Sequence, residues 1–288
     1  MNHSASDVIT SLNGATIQHG SYNQRIYLMD LGRADPGKLA RKLICLAGEK
    51  GYSKIFAKVP DSQASPFLVS GFRLEAEIPF FYPGEGARFL GYYLESKRRH
   101  EPDSESLDEL VTKLVPRKQN RPAKPLPEKI KIRRCTPEDA EAMAAIYRSV
   151  FPTYPFPIFD PQYLRQSMAN QVDFFCVEQA NRLLALSSME KDGSAKNVEM
   201  TDFATPAKHR GKDFARHLLA RMEREMLLKK YRLAYTIARA KSPAMNLTFA
   251  RLGYVYAGRL ANNTNISGKI ESMNVWYKKI RGSGKTHG

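Results

Sequence analysis

The sequence predicts an α/β protein built on a mixed sheet, in two unequal halves. Three observations lead there. Along the second half, runs with strand and helix periodicity alternate in the order β-α-α-β-β-β-α-β-α-β-β. A proline-rich, charged stretch without aromatic residues, 97–128, divides the chain. A short pattern, an aromatic with Gly-aromatic four residues on, occurs in each half as FLVSGF (Phe67–Phe72) and FARLGY (Phe249–Tyr254). Each copy stands before two expected strands, which reads as a shortened copy of one plan followed by a full one.

In the first half, strands are expected near Arg25–Leu31, Ile55–Val59, Arg73–Phe81 and Phe89–Glu95, with helices near Pro36–Glu49 and Ser62–Val69. The dividing stretch holds five prolines, which lack a backbone donor and fix φ, so it reads as a link. One short helix fits inside it at Ser104–Leu114, where Leu107, Leu110, Val111 and Leu114 share helical spacing. The second half opens with a strand at Lys129–Arg134. Thr136-Pro137 then supplies an N-cap and a proline at the first helical position. That helix stops before the proline-aromatic loop FPTYPFPIFDP, and another covers Pro161–Ala169. Strands at Asp173–Glu178, Leu183–Met189 and Asn197–Thr205 lead to an amphipathic helix, about Asp213–Lys230, with Phe214, Leu218, Met222 and Met226 in register. LAYTIARA (Leu233–Ala240) is a strand. A helix near Met245–Leu252 ends at Gly253, suited to a left-handed terminator. Strands near Tyr254–Ala261 and Ile270–Lys278 close the chain.

Composition narrows the function. The 288 residues are 42% hydrophobic and 26% charged, as in a folded globular protein. The net charge of +16 predicts an anionic partner: nucleic acid, a membrane surface or a phosphorylated cofactor. No apolar run is long enough for a spanning helix, and MNHSASDVIT lacks the basic start and apolar stretch of a secretory signal. Cys45, Cys135 and Cys176 are too few and too scattered for a disulfide framework or zinc site, so a cytoplasmic location is expected. GSGKT near the C-terminus has Lys279 where a phosphate-binding loop needs its first glycine, and His209 and His217 are wrongly spaced for a helical ligand pair. No metal is expected.

The segment NVEMTDFATPAKHRGKDFARHLLARME carries the chemistry. A strand runs into a basic loop and then a long helix, whose unpaired first-turn amides suit phosphate. This segment resembles the GNAT acetyltransferases, whose signature is R/Q-x-x-G-x-G/A. Here it reads Arg210-Gly211-Lys212-Asp213-Phe214-Ala215, with Asp213 in place of the inner glycine. Aspartate tolerates the left-handed conformation better than most residues, so the turn can form. Its carboxylate needs Lys212 or Arg216, or solvent, to offset it. LTFARLGYVYAG matches the later helix–Gly-aromatic–strand signature, and the resemblance covers about 130–279. VEMTDFAT, YTIARA, LTFARLGY and NNTNISGKIESMNVWY are more narrowly similar to the β-lysine N-acetyltransferases, which also place a divergent domain before the catalytic one.

That resemblance implies an acyl-CoA N-acyltransferase fold with a degenerate GNAT-like domain at 1–96, a linker at 97–128, a catalytic domain at 129–281 and a flexible tail at 282–288. It implies acetyl transfer from acetyl-CoA to the terminal amine of β-lysine, giving the compatible solute Nε-acetyl-β-lysine. Phe203, Ala204 and Thr205 would bond the pantetheine through their backbone. Arg210, Gly211, Lys212, Asp213, Phe214, Ala215 and Arg216 would surround the pyrophosphate. The first domain lacks an equivalent of the phosphate loop, so one CoA is expected per chain.

An alkyl amine of pKa near ~10.4 must lose a proton before it attacks a thioester. The site therefore needs a base, donors for the developing oxyanion, and anionic groups for a cationic substrate. Glu199 is the first candidate base; histone-acetylating relatives carry a glutamate at the matching strand position. Asp202 is the second candidate, as base or amine anchor. Strand alternation turns the two apart unless a bulge intervenes. Phe249 stands where many relatives have a tyrosine acid, leaving Tyr254, Tyr256, Tyr235 or water to protonate the thiolate. Tyr154, with Phe156 and Phe159, could lid a pocket. Asn262, Asn263 and Asn265 carry amides for an amino-acid head or form a polar turn, and Glu271 could meet an amine or a lysine. A homodimer is compatible with the sequence, which does not fix oligomeric state. The alternatives are acetylation of another small amine or a protein lysine, a CoA-binding pseudo-enzyme, and a basic nucleic-acid-binding protein. No nucleic-acid or membrane partner is expected, since basic residues are spread through both halves without RNA-binding aromatic signatures.

Overall fold

A computed structural model describes residues 7–115, 123 and 125–280; the expected tail at 282–288 and linker positions 116–122 and 124 lie outside the described residues. The first half runs β1 (Val8–Leu12), β2 (Ala15–Gly20), β3 (Arg25–Asp30), α1 (Pro36–Glu49), β4 (Lys54–Pro60), α2 (Ser65–Val69), β5 (Arg73–Tyr82) and β6 (Glu85–Tyr93). Helices α3 (Ser96–Arg99) and α4 (Ser104–Leu114) follow. The second half runs β7 (Ile130–Arg134), α5 (Ala140–Val150), α6 (Pro161–Ala169), β8 (Val172–Gln179), β9 (Arg182–Asp192) and β10 (Asn197–Ala204). It ends with α7 (Phe214–Leu228), β11 (Leu233–Arg239), α8 (Pro243–Arg251), β12 (Val255–Ile266) and β13 (Lys269–Lys279).

The α/β order expected for the second half is the one observed. Its local causes are visible. Thr136 and Asp139 form a reciprocal capping box ahead of α5, and Asp160 caps α6 by accepting from the Gln162 amide at 2.9 Å. Gly71 (φ 97°) and Gly253 (φ 82°) end α2 and α8 in left-handed geometry, which explains the repeated Gly-aromatic pattern. The hairpin β1–β2 is an addition to the expected elements. It turns at Asn13-Gly14, both at positive φ, a strong hairpin signal in front of strands too exposed to announce themselves by apolar pattern.

The strands form one mixed sheet in the order β1-β2-β3-β4-β6-β5-β12-β13-β11-β10-β9-β8-β7. Read outward from β5 and from β12, the two halves repeat each other: a hairpin, then a parallel pair spanned by a helix, β3–α1–β4 in one and β10–α7–β11 in the other. The halves meet where Gly258 of β12 pairs with Ala76 of β5. A Cβ on Gly258 would lie 2.2 Å from the Glu75 carbonyl oxygen, so only glycine permits this approach.

Below that junction lies a core shared by both halves. Tyr27, Phe56 and Phe89 from the first pack with Tyr235, Leu260 and Val275 from the second. A polar seam runs beside it. Buried Lys54 pairs with Glu75 at 2.9 Å and donates to the Ala261 carbonyl at 2.7 Å. Arg98 of α3 donates to the Asn262 carbonyl at 2.8 Å. Each half keeps its own core as well, around α1 in the first and around α7 in the second. Leu114 of α4 joins the second-half core, so this part of the expected link is packed structure.

Candidate active site

The site follows from a strand pair that starts together and parts. β10 and β11 are paired in parallel at Asn197–Leu233, Val198–Ala234 and Glu199–Tyr235 only. Beyond Glu199 they diverge, while β11 stays on β13 as far as Arg239–Met273. The register of β10 on β9 also shifts between Thr201 and Ala204, and Asp202 sits at φ 55°. This is the bulge that strand alternation required. It turns Glu199 and Asp202 into one cavity of about 600 Å³.

One wall of that cavity is the start of α7. Gly211 (φ 78°) and Asp213 (φ 59°) are both left-handed, so aspartate makes the turn that glycine usually makes. The Asp213 carboxylate accepts from Arg216 Nη1 at 3.0 Å, which offsets its charge. Arg210 Nε donates to the Thr205 carbonyl at 3.0 Å and ties the loop to the end of β10. Phe203, Thr205 and residues 210–216 line the cavity. Ala204 does not; it is buried in the α5–α6 core on the other face. First-turn amides of α7 and the exposed Arg210 and Lys212 suit a polyanion.

The opposite part of the cavity is acidic. Glu199 and Glu190 are direct partners across the antiparallel pair of β10 and β9, so their side chains share a face. Both line the cavity, Glu190 exposed to it and Glu199 half-buried. Burial, then repulsion by Glu199 and Asp202, holds Glu190 well above the usual carboxyl range. Burial also raises Glu199, against the opposing pull of Lys58. Asp202 is raised by burial too, although Ser188 Oγ donates to it at 2.6 Å and Tyr154 donates to its other oxygen. Burial would lower Lys58 of β4, but Tyr27, Tyr82, Glu199 and Asp192 outweigh it and its pKa is raised.

The other expected site residues divide. Tyr154 and Asn263 line the cavity. Asn262 donates to the Arg98 and His100 carbonyls at 3.0 and 2.8 Å, and Asn265 to the Tyr22 carbonyl at 2.9 Å. These two amides stitch the halves together and do not line the cavity. Glu271 is buried behind it, in a bidentate pair with Arg239 at 2.9 Å; it positions a cavity-wall arginine instead of facing a substrate. Tyr254 is 1% exposed, packed edge-on against Phe249, and outside the cavity lining. Of the other two candidate acids, Tyr235 lines the cavity, opposite Glu199 in the parallel pair, and Tyr256 does not.

Sequence reasoning missed Glu190 and the whole contribution of the first half: Arg25, Tyr27, Met29, Phe56 and Lys58. Glu190 had a signal, a charged residue continuing the apolar strand LLALSSM. The first-half residues had none, because only the β5–β12 junction places them here.

No protein-family profile matches the chain. It is 37% identical over 270 residues to the beta-lysine N(6)-acetyltransferase of Methanococcus maripaludis, spanning 94% of this chain and 98% of that one. It is 30% identical over 263 residues to the protein of the same name from Methanosarcina mazei, spanning 84% and 97%. Among solved structures, an N-acetyltransferase from Staphylococcus aureus Mu50 aligns with 53% of this chain and 99% of its own at 21% identity and a TM-score of 0.47.

Proposed function

The chain belongs to the β-lysine N6-acetyltransferase family, and from that premise we propose that it moves the acetyl group of acetyl-CoA to the terminal side-chain amine of β-lysine. The observation that carries this reading is the cavity's polarity. A left-handed turn and basic helix start suited to a pyrophosphate form one wall, and three carboxyl groups, Glu190, Glu199 and Asp202, line the same cavity. An alkylammonium is the substrate such a cluster would hold. Nucleic-acid binding, suggested by charge alone, is not favoured by the family.

The residues present fit the expected co-substrate. The parted strands leave Phe203 and Thr205 lining the place for a pantetheine arm, and residues 210–216 surround the place for phosphates. Acetyl-CoA, when bound, supplies an activated acetyl thioester. Glu199 takes the proton from the substrate ammonium, directly or through a water, in our reading. Its raised pKa makes it a stronger base than an ordinary glutamate, though acceptance from an amine remains uphill. Burial and the neighbouring Asp202 keep that pKa high, and Glu190 shares its face of the sheet. Ser188 and Tyr154 hold Asp202, leaving it to attract the ammonium. In our reading Tyr235, which alone of the three candidate acids Tyr235, Tyr254 and Tyr256 lines the cavity, returns a proton to the thiolate. We read 129–280 as the catalytic unit and 7–96 as a divergent copy that walls the acceptor end.

The test is thiol release from acetyl-CoA with a panel of amines. β-Lysine should give the highest kcat/KM. Release with a polyamine or a lysine peptide but not with β-lysine would overturn the assignment.

A further inference from the structure

Among the described residues, one buried cation of this cavity forms no ion pair. Arg25 of β3 is 4% exposed and lines the cavity. Its Nη1 donates to the Asn263 carbonyl at 2.5 Å and to Thr264 Oγ1 at 3.1 Å. The guanidinium lies 5.6 Å from the Tyr27 ring and 5.9 Å from the Phe56 ring. Among the described residues its Nε has no hydrogen-bond partner and no carboxylate lies within ion-pair distance. Beside it, the buried Asn263 Oδ1 also lacks a donor. Burial lowers the Arg25 pKa to about 10, which still leaves the group charged at neutrality. A buried guanidinium with an unsatisfied Nε and no ion pair is costly, and with the unsatisfied Asn263 Oδ1 it offers a donor and an acceptor that a zwitterion could satisfy.

We propose that Arg25 and Asn263 form the head-group subsite of the acceptor, Arg25 binding the carboxylate and Asn263 Oδ1 accepting from the adjacent β-ammonium. This rests on the β-lysine reading above. Along β3, Arg25, Tyr27 and Met29 share a face, and Lys58 on neighbouring β4 faces the same cavity. Arg25 and the acidic cluster of Glu190, Glu199 and Asp202 line the same cavity, so one extended diamino acid can meet both. The first half thus fixes the head, and with the β-ammonium held at Asn263 the terminal nitrogen is the one left to reach the acidic cluster. It also gives the divergent copy a chemical role in specificity.

The experiment compares β-lysine with its carboxamide and its decarboxylated diamine, for the wild type and for Arg25→Met and Arg25→Lys. The wild type should prefer β-lysine over both analogues by roughly 100-fold in kcat/KM, as loss of a charged hydrogen-bonded pair implies. Arg25→Met should lose that preference mainly through KM on β-lysine, with little change on the diamine, and Arg25→Lys should restore part of it. Equal wild-type rates on all three amines would overturn the proposal while leaving the acetyltransferase reading intact. Equal losses on β-lysine and diamine in the variants would overturn it too, by giving Arg25 a purely structural role. If Arg25→Met fails to fold, the wild-type comparison alone decides. Wild-type activity on other amines but none on β-lysine would overturn the function reading, and this subsite with it.

Discussion

Glu190 and Glu199 stand side by side as direct partners on β9 and β10, two carboxyl groups on one face of a sheet lining one cavity. A like-charged cross-strand pair is unfavourable in a structural role. It becomes useful when a cation binds between them or when one of them must accept a proton at neutral pH.

Glu199→Gln should lower kcat by about 10²–10⁴-fold, the usual range for a lost general base. Acetyl-CoA affinity should stay within about threefold, because the loop at 210–216 is untouched. Single-turnover kinetics with calorimetric binding separates the two. Unchanged kcat across pH would remove Glu199 from the mechanism.

Glu190→Gln should change how stability varies with pH. The folded value of Glu190 is raised, so the folded protein holds a proton that the unfolded chain releases. Stability from this source is complete below the unfolded carboxyl pKa and declines as pH rises from there through the raised value. The wild type should therefore lose melting temperature between mildly acid and neutral pH, and the variant should lose less. Parallel curves would contradict the shift.

Asp213→Gly should keep or tighten acetyl-CoA binding. Glycine adopts φ near 59° freely, and the change releases Arg216 Nη1 from the carboxylate. Asp213→Val should weaken it by about 1–2 kcal/mol, since a branched residue resists that φ. Weaker binding by the glycine variant, read by titration calorimetry, would give the carboxylate a positive role.

Gly258→Ala should destabilise the protein by about 2–4 kcal/mol, through a forced contact with the Glu75 carbonyl at a positive φ. Activity should fall with it, because the first-half wall of the cavity depends on this junction. Chemical denaturation and kcat/KM measured together check both. Asn265→Ala should cost about 1–2 kcal/mol of stability with KM for the amine unchanged, as fits a seam residue. A large KM effect would return Asn265 to the substrate.

The element order of the second half was legible because each part is local: Thr136 with Asp139, the apolar stripe of α7, Gly253 after α8. The Asp213 turn was legible for the same reason, since its φ is a property of one residue. The shared face of Glu199 and Asp202 was not fixed by the sequence alone, because the bulge is set by how β10 lies on β9. Nor were the separate fates of the Asn262–Asn265 run, which depend on Arg98, Asn23 and Tyr22 arriving from far along the chain. Tyr254 illustrates the limit: next to the right glycine in sequence, it faces the core. Much of the +16 charge has no role in the site, while the acceptor end is acidic against it.

The most direct measurement is the position of the acetyl group on the product. With acetyl-CoA and β-lysine, NMR of the isolated product should place the acetyl on the terminal nitrogen and leave the β-amine free. An acetyl on the β-nitrogen, or no acetylated β-lysine at all, would contradict the account.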